Sequence, residues 1–228
     1  MSDFGTYLAM QLFTGLQSTI LLFVGCALVG NALAIPVALA RLSPSRWLRY
    51  PAIGFVLAFR GTPLLVQLYL VYFGVGQILS EIPSVRYSPV WPLFRSAYTY
   101  AVFALSLNTA AYCSEIWRGA LLGGPSGQSE AGRSLGLSKR QILRLILLPQ
   151  AFRLALPAIG GQNILLLKGT ALTATITLFE LMGAANLVRA QTFRVYEPLL
   201  AAAFAYFMLA IVITSGFKFV ERRLPAYS

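Results

Sequence analysis

Arg60, Glu115 and Lys168 stand in stretches that are otherwise almost free of charge. A charged side chain in such a setting costs about 2.5 to 3.5 kcal/mol on membrane-insertion scales, so each needs a partner or water. The chemistry open to them is charge pairing, capture of a polar solute, or an ion path. Glu115 has Arg118 three residues on, close enough on a helix for a local ion pair. It also has Asn108, Thr109 and Tyr112 on nearby turns, and Thr170 follows Lys168. Glu115 is therefore a candidate for a local pair, for a solute path, or for contact with another subunit. The chain has no His, which removes Ser-His and Cys-His catalysis and histidine metal ligation. Its two cysteines, Cys26 and Cys113, lie in apolar stretches and read as packing residues. No metal site and no catalytic set emerges.

The elements that must hold these residues are membrane helices. Of 228 residues 57% are hydrophobic and 11% charged, with a mean hydropathy of +0.71, far from the usual quarter of charged residues in soluble domains. A bilayer core of about 30 Å takes about 20 residues of helix. Five stretches qualify: Gln17 to Leu39, Ile53 to Leu79, Ala97 to Leu122, Leu154 to Leu178 and Leu199 to Val220. Their long apolar runs lack the alternation of barrel strands, which gives an all-α integral membrane protein, read as a single domain over 1–228. The fourth stretch holds Pro157, Gly160 and Gly161, and Lys168-Gly169-Thr170. It reads as an irregular helix, either kinked and tightly packed or also a moving part of a path.

The net charge of +11 falls mostly on residues flanking the apolar stretches, which points to membrane orientation rather than to nucleic acid. Arg41, Arg46, Arg49, Arg118, Arg133, Lys139, Arg140, Arg144, Arg153, Lys218, Arg222 and Arg223 fall on one side, against Arg86, Arg95, Arg189 and Arg194 on the other. The side with the excess is cytoplasmic, which puts the N-terminus outside and the C-terminus inside. No Lys or Arg precedes Arg41, so the charged start of a cleavable signal peptide is missing and the N-terminus is expected to be retained. On this frame Arg60 and Glu115 lie at similar depth and face one interior, as a pair or through a wet cavity. The outer loop from Ser80 to Ser96 carries Tyr87 and Trp91, aromatics suited to the membrane interface.

The long polar stretch from Ser126 to Pro149 must lie in water. Gly136 suits the end of one short helix, and Ser138 with Gln141 has the spacing of a capping box that opens a second. Ala131 and Gly132 lack bulk beside Glu130, so the first helix could press its backbone on another protein while the carboxylate meets a base.

Glu130-Ala131-Gly132, then Gly136, then Ile146-Leu147-Leu148-Pro149 resembles the EAA loop of membrane subunits of ABC-type importers. Phe59-Arg60-Gly61-Thr62-Pro63-Leu64-Leu65-Val66-Gln67 resembles the FRGTP stretch of polar amino acid permeases, and Leu107 to Tyr112 with Glu115-Ile116 and Gly119 resembles their third-span motif. Leu167-Lys168-Gly169-Thr170-Ala171-Leu172 is similar to their KxTxL stretch. The resemblance is to M-type permeases for histidine, lysine, arginine, ornithine or opines. It implies a five-helix type I importer transmembrane domain. Glu130, Ala131, Gly132, Leu135 and Gly136, in a coupling loop of about 124–150, would dock on an ATPase. Glu115, Arg60, Asn108, Thr109, Tyr112, Lys168 and Thr170 would line the substrate path. Implied partners are a second permease subunit in a heterodimer, two ATPase subunits that carry the ATP and magnesium, and a periplasmic binding protein. This chain itself has no phosphate-binding loop and needs no cofactor. The cargo would be a polar, cationic amino acid or an opine, and the membrane the bacterial inner membrane. A self-sufficient secondary transporter or channel is the rival.

The sequence departs from these patterns in three places. Gly132 stands where the loop usually has Ala, at a cost of about 1 kcal/mol in helix propensity. Gly169 stands where some arginine-type relatives carry Asp, and Leu64 where some partner-type subunits carry an acid. This chain would then bring only Glu115 to a cationic ligand.

Overall fold

The computed structural model describes residues 2–124 and 127–223, and in them every regular element is a helix. In chain order they are α1 (Ser2–Arg41), α2 (Arg46–Gly61), α3 (Leu64–Glu81), α4 (Pro83–Arg86), α5 (Trp91–Phe94), α6 (Ala97–Leu122), α7 (Gly127–Ser134), α8 (Lys139–Ile176), α9 (Leu181–Thr192) and α10 (Tyr196–Arg223). Four of them, α1, α3, α8 and α10, are long and apolar enough to cross a membrane. The 26-residue α6 coincides with the expected third span and is more polar because it carries Asn108, Thr109, Glu115 and Arg118.

Three expected spans differ in extent. The 40 residues of α1 reach about 60 Å, twice the hydrocarbon core, so the helix starts well before Gln17. The expected span from Ile53 to Leu79 is not one helix. It breaks at Thr62-Pro63, where Pro63 lacks an N–H and drives Thr62 into the extended region (φ −118°, ψ 147°). The fourth span runs unbroken through Pro157 and the Gly160-Gly161 pair, and its irregular turns lie at its ends. These are a π-helical segment at Leu143–Leu147 and a 3₁₀ segment at Ala171–Ile176, closed by Thr177 in the left-handed region (φ 67°).

α1 lies along α6 at very close range. A Cβ on Gly30 would fall 2.7 Å from Thr109 Cβ, so no larger residue fits there. One core joins Leu22 and Cys26 of α1 with Leu68, Ala101, Ala104, Leu105, Leu166 and Ile176. A second joins Ala34 and Ala38 with Cys113, Trp117, Ala151, Ala155 and Ile159. Both cysteines are free, buried members of these cores, as packing residues should be. A third, smaller core ties Leu12 and Leu16 of α1 to Leu181 and Ala185 of α9 and to Leu199 and Ala202 of α10.

Candidate functional site

The polar stretch forms two helices set against each other. α7 ends with Gly136 at φ +78°, and the N–H groups of Leu137 and Gly136 donate to Gly132 O (3.0 Å) and Arg133 O (2.9 Å). That is the left-handed C-cap its sequence called for. Ser138 then opens α8 with a complete capping box: Gln141 N donates to Ser138 Oγ (3.4 Å), and Ser138 N donates to Gln141 Oε1 (2.8 Å). Ser126, the first residue of the stretch, lies outside the described residues.

Gly132 does not face outward as its small size first indicated. It is buried against α8, where an added Cβ would meet Ile142 Cγ1 at 3.0 Å and Ile146 Cδ1 at 3.3 Å. Its missing side chain is used inside the loop, to bring α7 onto α8. Gln150 Nε2 donates to Gln128 Oε1 and ties the start of α7 to α8 as well. What faces water is Glu130, Ala131 and Leu135, the last with 81% of its surface exposed. No cation among the described residues pairs with the Glu130 carboxylate. An exposed leucine beside an unpaired carboxylate, on a helix braced from behind, forms a ridge that is part apolar and part acidic.

The second constellation gathers three arginines on one carboxylate. Glu115 Oε1 lies 2.6 Å from Arg41 Nη1 and 2.5 Å from Arg118 Nε, and its Oε2 lies 3.3 Å from Arg60 Nη1. Arg60 and Glu115 do face one interior, and the local pair with Arg118 forms at the same time. Arg41, at the end of α1, joins them unforeseen from the sequence. The cluster carries a net charge of +2 and ties α1, α2 and α6 together. Arg60 has 41% of its side chain exposed and lies over the Tyr112 ring, 5.3 Å from its centroid.

Asn108, Thr109 and Tyr112 line a cavity of about 240 Å³ together with Thr62, Gln162 and apolar residues of α3, α6 and α8. Lys168 and Thr170 are not in its lining. Lys168 is exposed with no ion pair among the described residues, one turn past Leu165 on the same face of α8. Thr170 is fully buried and its Oγ1 donates to Leu167 O (2.7 Å), which makes it part of the helix interior.

Two polar residues were given no role of their own from the sequence. Gln67 is buried beside the Thr62-Pro63 break, where its Nε2 donates to Phe59 O (2.8 Å) and Thr62 Oγ1 (2.8 Å) while its Oε1 accepts from Asn108 Nδ2 (2.9 Å). It satisfies backbone freed by the break and fixes one wall of the cavity. Glu180, fully buried, caps α9 through Gly183 N (2.8 Å), accepts from Tyr206 Oη of α10, and lies 3.5 Å from Thr19 Oγ1 of α1. Its signal was a lone acid four residues past the 3₁₀ end of an apolar run.

Residues 30–225 match the family described as the binding-protein-dependent transport system inner membrane component. The chain belongs to that family. The permease is 41% identical over 212 residues to the octopine transport system permease protein OccM of Rhizobium meliloti, covering 93% of this chain and 85% of that one. It is 38% identical to the nopaline permease NocM of Agrobacterium fabrum (90% and 83% covered), and 37% identical to the histidine/lysine/arginine/ornithine permease HisM of Salmonella typhimurium (92% and 88%). Among solved structures, an amino acid ABC transporter crystallised with histidines superposes with a TM-score of 0.82 at 31% identity, covering 95% of each chain. The methionine transporter MetNI, at 18% identity and a TM-score of 0.79, shares the fold. The resemblance read from the motifs therefore holds, and with it the type I importer fold. The permease is a multi-pass membrane subunit of a binding-protein-dependent system, and the rival of a self-sufficient carrier has no counterpart among these relatives.

Proposed function

We propose that this permease carries a polar, cationic amino acid or an opine across the bacterial inner membrane as one half of a heterodimer with a second permease subunit. Two ATPase subunits hold ATP and magnesium and grip the Glu130-Ala131-Leu135 ridge, and a periplasmic binding protein delivers the cargo from the opposite side. The N-terminus is periplasmic and the C-terminus cytoplasmic, following the excess of Lys and Arg at the loop side. The observation that carries the reading is the continuity of α8. Its first turns pack under Gly132, and the same helix runs 38 residues to Ile176 through the apolar layer. A pull on α7 moves α8 as a lever, and α8 supplies Gln162 and Leu165 to the cavity. ATP-driven closure of the ATPases then biases the helices between two arrangements.

Cargo passes by Thr62, Asn108, Thr109, Tyr112 and Gln162, with Arg60 and Lys168 at the approaches. Glu115 is occupied by three guanidinium groups, and no carboxylate lines the cavity. The positive surplus at Arg60 suits the carboxylate of the cargo, and the counter-charge for a cationic side chain comes from the second permease subunit. The test is Glu130→Arg in the assembled transporter. The chain should insert and assemble as before, while ATP hydrolysis loses its stimulation by the loaded binding protein. Normal stimulation in that variant would count against the docking ridge.

A further inference from the structure

The cluster around Glu115 is unbalanced in charge and in hydrogen bonds. Arg41, Arg60 and Arg118 bring about fifteen N–H donors to a carboxylate that accepts about four. Arg60 Nη1 and Arg118 Nε each donate to Glu115, and neither guanidinium group has another acceptor among the described residues. Arg41 Nε is buried and donates to nothing. Buried donors left in this way are rare in folded proteins, and each calls for a water or an ion beside it.

No second acid offsets the surplus. Among the described residues, no other carboxylate forms an ion pair with these arginines. The net charge of +2 lies two turns inside α6, about 10 Å from its end at Leu122, where uncompensated charge is costly. It also adjoins the polar cavity. Tyr112, one turn from Glu115, lines that cavity, and Arg60 lies over the Tyr112 ring two residues before Thr62 of the same lining.

Arg41, 14% exposed and 2.6 Å from the carboxylate, is committed to Glu115, whereas Arg60 and Arg118 are 41% and 34% exposed and keep free N–H groups within reach of water. Two guanidinium groups gathered on one carboxylate can share a second anion through charge-assisted hydrogen bonds. The cost of desolvating an ion rises with the square of its charge, so a half-buried place of this kind favours a single negative charge over sulfate or phosphate. We propose that the cluster is a binding site for one small, singly charged anion, a halide or a carboxylate group, held by the N–H groups of Arg60 and Arg118 that Glu115 leaves free. The anion lowers the surplus from +2 to +1 beside the cavity. The assignment does not depend on the identity of the cargo.

The test uses the assembled, detergent-purified transporter without cargo or binding protein, in gluconate buffer of fixed ionic strength, and reads the excess NMR linewidth of added chloride. The wild-type transporter should broaden the line in a saturable way. Arg60→Gln and Arg118→Gln should each reduce the saturable part several-fold. Glu115→Gln, which lifts the surplus to +3, should instead raise the apparent chloride affinity several-fold, an effect that mere loosening of the cluster would not produce. Acetate added to the wild type distinguishes the two kinds of occupant: a narrower line supports a place that accepts carboxylate groups, and an unchanged line supports one reserved for halides. Absence of saturable broadening, or equal broadening in the wild type and all three variants, would overturn the proposal. The first of these results is also the one expected if a carboxylate of the second permease reaches Arg60.

Discussion

Replacing Glu115 with Gln removes the one negative charge among Arg41, Arg60 and Arg118 while keeping the size and a carbonyl oxygen. The three contacts differ in worth. Arg41 is 14% exposed and 2.6 Å from the carboxylate, and stranding a charge so deeply buried costs about 3 to 5 kcal/mol. Arg118 is 34% exposed, on the same helix, and Arg60 is 41% exposed at 3.3 Å. Those two retain access to water, and the Arg60 pair falls to about 1 kcal/mol or less after screening. The amide oxygen of the replacement side chain still accepts one hydrogen bond, so the total is set by Arg41, at about 3 kcal/mol. For a chain of this size that is a fall of about 6 to 12 °C in apparent Tm. The assay is thermal unfolding of the assembled, detergent-purified transporter, with Arg41→Gln, Arg118→Gln and Arg60→Gln beside it. Arg41→Gln should be the most harmful of the three arginine variants and Arg60→Gln the least. A drop under about 2 °C for Glu115→Gln, or Arg60→Gln matching Arg41→Gln, would refute the view that the cluster is a brace between α1, α2 and α6.

Gly132→Ala should leave coupling near normal, because about 1 kcal/mol of helix propensity offsets a shift of a few tenths of an ångström in the side chains of Ile142 and Ile146. Gly132→Leu should cost about 1 to 3 kcal/mol by overpacking, force α7 off α8, and reduce binding-protein-stimulated ATP hydrolysis; wild-type stimulation would contradict the buried placement. Glu180→Ala removes the cap of α9 and leaves Tyr206 Oη without its acceptor, a loss of about 2 to 4 kcal/mol read as a lower apparent Tm. Glu180→Gln keeps an acceptor for Gly183 N and should lose less than half as much, and equal losses from the two would exclude a hydrogen-bonded role for the carboxylate.

Local signals in the sequence were enough for the class, for the two short helices of the polar loop and for their caps. A low charge content with runs of about 20 apolar residues permits only membrane helices, and a glycine at Gly136 or a Ser-x-x-Gln at Ser138 acts within a few residues of itself. The break at Thr62-Pro63 was written equally locally, in the proline, yet the apolar residues on both sides hid it. Which side of each helix meets another was not legible. In a membrane the lipid-facing and the core-facing sides are both apolar, so the periodicity that reveals a buried face in water is nearly absent. The packing of the helices alone decided that Gly132 turns inward, that Arg41 reaches Glu115 across 74 residues of sequence, and that Glu180 meets Thr19 and Tyr206. Each of these depends on where two distant helices cross, and the partners of a buried polar group are set by that crossing rather than by its neighbours in the chain.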